Sequence, residues 1–173
     1  PAIAATREAY KRCGKDPSRY RPSAEALRRR LMRGLELYQI DTLVDLINLV
    51  SLRTGYSIGG FDADKIQGDS LELGIGRAEE PFEGIGRGTL NIEGLPVYRD
   101  RAGGIGTPTS DNERTKMGLE TRRILAIVNG YNGREGLAEA AGMIQELLRK
   151  YADSDGGTIL YLSLIHISEP TRH

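Results

Sequence analysis

The stretch Asp41-Thr42-Leu43-Val44-Asp45-Leu46-Ile47-Asn48-Leu49-Val50-Ser51-Leu52-Arg53-Thr54-Gly55 decides the fold. Leu43, Val44, Ile47 and Val50 recur at helical spacing and form one apolar stripe, which Leu46 and Leu49 widen. Asp41 stands where a side-chain oxygen would cap the first free N–H groups, and Gly55 is a usual left-handed terminator. Beyond Gly55 the character changes. Of the 22 glycines, 13 fall between Gly55 and Gly106. That density predicts short, bent strands with bulges and close backbone approaches, the candidates being residues 71–76, 94–99 and 103–106.

On the N-terminal side, Ala24, Leu27 and Leu31 follow Pro22-Ser23 at helical spacing, with Ser23 the expected N-cap and Gly34 the stop. On the other side, Arg123 to Val128 reads as a strand closed by Asn129-Gly130. A last helix is expected from about Glu135 to Tyr151, with Leu137, Ala141, Ile144 and Leu148 on one stripe. Helices, then strands, then strand and helix give an α+β domain. A length of 173 residues suits one such domain. Gly-Ile-Gly occurs three times, too short a unit to imply duplication.

Charge narrows the function classes. The 24 Lys and Arg residues balance 24 Asp and Glu, so capture of nucleic acid by net charge is excluded, although a local patch is not. The distribution is uneven: residues 1–33 carry ten basic and three acidic side chains, net +7, and residues 62–93 carry three and eight, net −5. The basic run reads either as a binding surface or as the solvated face of a helix. No apolar run approaches the roughly 20 residues of a membrane span. The single Cys13 cannot form an internal disulfide, which fits a reducing compartment, and a cytoplasmic location is expected.

The end of the chain, Leu162-Ser163-Leu164-Ile165-His166-Ile167-Ser168-Glu169-Pro170-Thr171-Arg172, resembles the translation of a sequencing-adaptor read. Residues 161–173 are therefore expected to be non-native. The chain's two histidines, His166 and His173, both lie there. Without them, Ser-His and Cys-His nucleophiles, imidazole bases and His-ligated zinc all drop out. Any chemistry falls to carboxylates, Lys, hydroxyls, backbone amides or the substrate itself. No cofactor or metal is expected.

The glycines do not form a phosphate loop. No segment matches G-x-x-x-x-G-K-[ST], and no Gly-x-Gly has the third glycine of a dinucleotide fingerprint. Asp62-Ala63-Asp64-Lys65-Ile66-Gln67-Gly68-Asp69 has Ile66 where a calcium loop needs an oxygen, so Asp62 or Asp64 is read as a turn cap. The densest patch of candidate chemistry is Thr107-Pro108-Thr109-Ser110-Asp111-Asn112-Glu113-Arg114-Thr115. It offers hydroxyls, two carboxylates, an amide and a guanidinium. These groups suit either a bound amino acid or ribose, or a capped, solvated loop.

Four motifs in order then carry a resemblance: Tyr20-Arg21-Pro22-Ser23-Ala24-Glu25-Ala26-Leu27; Leu43 to Leu52; Ile58-Gly59-Gly60-Phe61-Asp62-Ala63-Asp64-Lys65-Ile66 with Gly68-Asp69; and Val97-Tyr98-Arg99-Asp100. Together they resemble stand-alone relatives of the B3/B4 tRNA-binding domain of the phenylalanyl-tRNA synthetase beta subunit. The resemblance divides the chain into a basic N-terminal arm, residues 1–18, and a B3/B4-like domain, residues 19–160. It implies an α+β sandwich of short strands with flanking helices. In the synthetase this domain holds the editing site that hydrolyses tyrosine wrongly attached to tRNA, a reaction for which a positioned water and the terminal ribose can suffice.

The synthetase's glycine-glycine-glutamate loop is not recognisable here, and residues 106–113 stand in its place. The resemblance sets the pocket between that loop and the helix bearing Asn48 and Ser51. The expected substrate contacts are Asn48, Ser51, Thr109, Ser110 and Arg114, with Asp111 or Glu113 orienting water. Asn48 and Ser51 read equally as packing residues. Arg28, Arg29, Arg30 and Arg33 are the expected phosphate contacts. The leading expectation is a tRNA-binding protein, with trans deacylation of mischarged aminoacyl-tRNA as its activity. The alternatives are a module for a free amino acid or metabolite, and an interaction protein using the last helix.

Overall fold

The computed structural model describes residues 1–35 and 41–162, so the tail with His166 and His173 lies outside the described residues. The chain opens with helices α1 (Ala2–Arg12), α2 (Ser23–Met32) and α3 (Thr42–Thr54). Strands follow: β1 (Ser57–Asp62), β2 (Glu72–Ile75), β3 (Glu83–Gly84), β4 (Gly88–Thr89), β5 (Pro96–Asp100), β6 (Gly103–Gly106) and β7 (Ile124–Asn129). Helix α4 (Leu137–Tyr151) comes last, and single 3-10 turns occupy Ala63–Lys65 and Glu113–Thr115. This is the expected α+β mixture.

All strand pairs among the described residues are antiparallel. β1 lies beside β7, β5 sits between β2 and β6, and β3 and β4 form a small hairpin. The β5–β6 register slips between Tyr98 and Arg99, an irregularity of the kind the glycine density predicts. Two hydrophobic clusters hold these layers. In one, Ile47 and Val50 of α3 and Ala140, Ile144 and Leu148 of α4 pack on Ile58 and Tyr56. In the other, Tyr10 of α1 meets Phe82, Ile92, Leu95 and Val97. Each Val, Leu, Ile or Phe among them removed from water is worth about 1.5–3 kcal/mol.

Local signals set the element ends. Asp41 Oδ1 accepts the Val44 N–H at 3.0 Å, and Gly55 adopts φ +81° at the end of α3, as expected. Ser23 is not the N-cap of α2. Pro22 takes that place with an extended backbone, its carbonyl accepting the Ala26 N–H, while the Ser23 N–H donates to the Pro108 carbonyl at 2.9 Å. The next N–H, that of Ala24, reaches the Ser57 hydroxyl, so tertiary partners replace the local cap. The stripe on α2 is also narrower than its spacing suggests, because Ala24 is buried but Leu31 is exposed. On α3, Leu49 likewise faces out.

The leading segment folds as a helix that joins both clusters. Ala2, at its start, belongs to the α3–α4 cluster, and Tyr10, near its end, is fully buried in the other. Arg7 reaches α2 and grips both carboxylate oxygens of Glu25 at 2.8 and 3.0 Å.

Candidate functional site

The segment after β6 begins with a tight turn. The Thr107 N–H donates to the Ser110 carbonyl at 2.8 Å, and the Thr107 hydroxyl accepts the N–H groups of Thr109 and Ser110, both at 3.1 Å. The chain then runs back along its own strand. Asp111 bridges to Gly106, and the Asn112 N–H donates to the Ile105 carbonyl. On its other edge Asn112 bridges to Gly84, and the Ile85 N–H donates to the Asp111 carbonyl. Residues 111–112 thus stitch β6 to the β3–β4 hairpin, and their side chains are sent in different directions.

One face of this segment borders a cleft of about 480 Å³, walled by the 18–21 linker, the turn at Thr107, Thr109 and Ser110, and the chain from Arg87 to Leu95. Its charged lining is Arg19, Arg21 and Arg87, with no carboxylate. Leu90, Ile92 and Leu95 supply an apolar wall. Thr109 is spent internally: its hydroxyl donates to the Tyr20 carbonyl at 2.7 Å and receives the Tyr10 phenol at 2.6 Å. Burial raises the Tyr10 phenol well above its ordinary range, so it stays a donor. Ser110 is freer, its hydroxyl lying 3.5 Å from Arg87 Nη1.

The other face borders a second cleft of about 450 Å³, lined by Phe82, Glu83, Gly103, Gly104, Glu113 and Arg114 among others. Both of its expected functional groups are engaged. Arg114 grips Asp100 with two bonds of 2.8 Å. Glu113 accepts the Gly86 N–H at 3.1 Å and pairs with Lys116 at 2.8 Å; that ammonium, and then the Gly86 N–H, hold its carboxyl below the usual range.

Asp111 lines neither cleft. Its Oδ1 lies against Gly59 and Gly106, where an added Cβ would come within 3.2 and 3.0 Å of it and would also meet the Phe61 ring. Glycine is thus required on both β1 and β6 to admit that ring and that carboxyl. Burial pushes the carboxyl up to about 7, with the Gly60 N–H acting in the opposite direction.

The structure therefore divides the expected site. Thr109 and Ser110 share one cleft, Glu113 and Arg114 the other, and Asp111 lies apart from both. The expectation that α3 borders the cleft beside the turn is not met, because Tyr20 of the α1–α2 linker and Ser23 at the start of α2 pack on the turn through the Thr109 hydroxyl and the Pro108 carbonyl. Asn48 is half-buried with no side-chain hydrogen bond among the described residues, and the buried Ser51 donates to the Tyr56 carbonyl at 2.7 Å. The arginine run on α2 is also divided. Arg28 turns inward and donates from Nε to the Leu52 carbonyl at 2.9 Å, Arg30 is half-buried and engaged, and Arg29 and Arg33 are exposed.

Arg19, Arg21 and Arg87 were not singled out by sequence. The available signal was Arg19-Tyr20-Arg21-Pro22, where the residue before a proline is held extended and cations alternate around an aromatic ring. Among the described residues, no group of three or more His, Cys, Asp or Glu side chains is placed to hold a metal. No helix of theirs is long and apolar enough to cross a membrane. Comparison with protein families matched one model, described as the B3/4 domain, over residues 5–150. Comparisons with curated proteins and with solved structures gave no match.

Proposed function

The chain belongs to the B3/4 domain family, and from that premise we propose that it binds aminoacyl-tRNA and releases wrongly attached amino acids in trans. The B3/4 domain occurs in the phenylalanyl-tRNA synthetase beta subunit, which supports a tRNA-related role. The observation that carries the reading is the cleft beside Thr107–Ser110, whose charged lining is arginine alone. Such a lining attracts a polyanion even though the whole chain is neutral. Helix α2 leads away from it, placing the exposed Arg29 and Arg33 within about 20 Å of Arg21 at 1.5 Å per residue.

In this reading the guanidinium groups hold backbone phosphates and Ser110 faces the terminal ribose. Hydrolysis adds water across the ester, breaking its acyl C–O bond, freeing the amino acid as its carboxylate, restoring the ribose hydroxyl and releasing one proton to solvent. Glu113 lies in the second cleft, on the other face of the segment from Ser110, so in this reading the terminal ribose's free hydroxyl positions that water. Asp111, set behind the segment, is a positioning residue.

The test is a panel of aminoacylated tRNAs measured for binding and release. The expected results are affinity that falls steeply with salt, by a slope of about 0.7–0.9 per phosphate contacted, and faster loss of tyrosine from mischarged tRNA. A flat salt response would remove the RNA role. The inward turn of Arg28 favours a second reading, a module for a free amino acid or metabolite, which predicts thermal stabilisation by small ligands and indifference to tRNA.

A further inference from the structure

We propose that the arginine-lined cleft is a phosphate oxyanion site in its own right, one that takes a phosphate ester carrying a compact apolar or planar substituent. The inference shares its location with the reading above but does not require a long RNA.

The argument is one of unspent donors. Arg19 and Arg87 are both exposed and make no ion pair among the described residues. Arg21 Nε is buried 3.6 Å from Glu25, a carboxylate that Arg7 holds through two shorter bonds, so Arg21 brings the cleft its charge rather than that N–H. Ser110 keeps a hydroxyl proton to give, as does Ser18, whose oxygen accepts from Arg7 at 3.0 Å. Three cations and two hydroxyl donors around one space exceed what a carboxylate's two oxygens use. They match the three terminal oxygens of a phosphate monoester, or the two free and two bridging oxygens of a diester. Leu90, Ile92 and Leu95 form a wall that would be wasted on inorganic phosphate but shelters an apolar or planar substituent.

The construction of the cleft supports this use. Arg87 stands at the tip of the β3–β4 hairpin and is brought to Ser110 by tertiary structure, and Arg19 arrives from the α1–α2 linker. Three separate segments therefore converge their donors on one space.

The experiment is calorimetric titration of the full chain with AMP, a monoester; with the dinucleotide CpA, whose internal phosphate is a diester; and with adenosine. The expected result is binding of AMP or CpA and none of adenosine. AMP alone assigns the site to free phosphate monoesters, and CpA alone or with AMP assigns it to the phosphates of an RNA end. Arg87→Ala and Arg19→Ala should each weaken binding about tenfold or more, with Arg122→Ala as an exposed control that changes nothing. Failure of both AMP and CpA to bind, or affinities unmoved in the arginine variants, would overturn the proposal. Binding of intact aminoacyl-tRNA is measured alongside. tRNA binding without AMP or CpA binding sinks only the oxyanion site, and the reverse pattern sinks only the tRNA reading.

Discussion

Arg114 and Asp100 meet fork to fork: Nη1 donates to Oδ2 and Nη2 to Oδ1, each at 2.8 Å. The carboxylate also accepts the N–H groups of Gln67, Ala102 and Gly103, and its side chain is fully shielded from solvent. Burial alone would raise this carboxyl. Arg114 and the backbone donors more than offset that, and it lies below the ordinary carboxylate range. The pair ties the end of β5 to the 3-10 turn that closes the polar segment, so Arg114 is spent on the fold even where it lines the second cleft.

Removing that guanidinium leaves a buried carboxylate with its backbone donors only. Arg114→Ala is expected to cost about 2–4 kcal/mol in urea unfolding, and Arg114→Lys to recover only part of it, because an ammonium cannot supply two parallel bonds. The pair's contribution should be present at neutral pH and lost as acid protonates Asp100 below its ordinary range. An Arg114→Ala protein as stable as the parent would mean that the fork contributes nothing.

Asp111 predicts the opposite pH dependence. Unfolded, its carboxyl ionises near pH 4, whereas in the folded chain it holds its proton up to about 7. Across that window the folded state carries the extra proton, so stability falls as pH rises from about 4 to about 7 and is level above. Asp111→Asn keeps the shape and the acceptor for Gly60. It should therefore flatten this slope and stabilise the protein at pH 8 by a few kcal/mol, each pH unit being worth about 1.4 kcal/mol. Parallel melting profiles from pH 4 to 8 for the two proteins would contradict the assignment.

The arginines of α2 should separate by role. Arg28→Ala removes the bond to the Leu52 carbonyl at the end of α3 and is expected to cost about 1 kcal/mol in stability. Arg29→Ala and Arg33→Ala should leave stability within about 0.5 kcal/mol and, if α2 contacts RNA, reduce the salt slope of tRNA binding. Chemical denaturation and filter binding on the same three proteins make the comparison.

Two glycines outside the clefts test packing. A Cβ on Gly76 would collide with the Ile92 carbonyl, a backbone atom with little room to yield, so Gly76→Ala should destabilise by about 1–3 kcal/mol. A Cβ on Gly142, within α4, meets nothing within 4 Å, so Gly142→Ala should stabilise by about 0.5–1 kcal/mol. Thermal melts of both variants check the contrast.

Much of the fold was legible because its signals are local. The stripe from Leu43 to Val50, the Asp41 cap and the Gly55 terminator each act within a few residues, and the glycine-rich strand 103–106 and the apolar strand 124–129 fall close to expectation. The cap of α2 was not legible, since its partners, Pro108 and Ser57, lie far along the chain. The polar segment was identified, but its division was not. Which way each of Ser110, Asp111 and Glu113 faces depends on pairing with Ile105, Gly106 and Gly84, and that pairing leaves no mark in the residues themselves. Arg87 joined the cleft only because the hairpin folds across Ser110.

The span of α1 has a practical consequence for dissection by truncation. A polypeptide begun at Arg19 would lack both the small methyl wedge under α3 and the phenol that anchors Thr109. Its melting should broaden as well as drop, since one deletion opens two interiors at once. For this chain the first dozen residues behave as a keystone, and shortened versions that omit them test a different object.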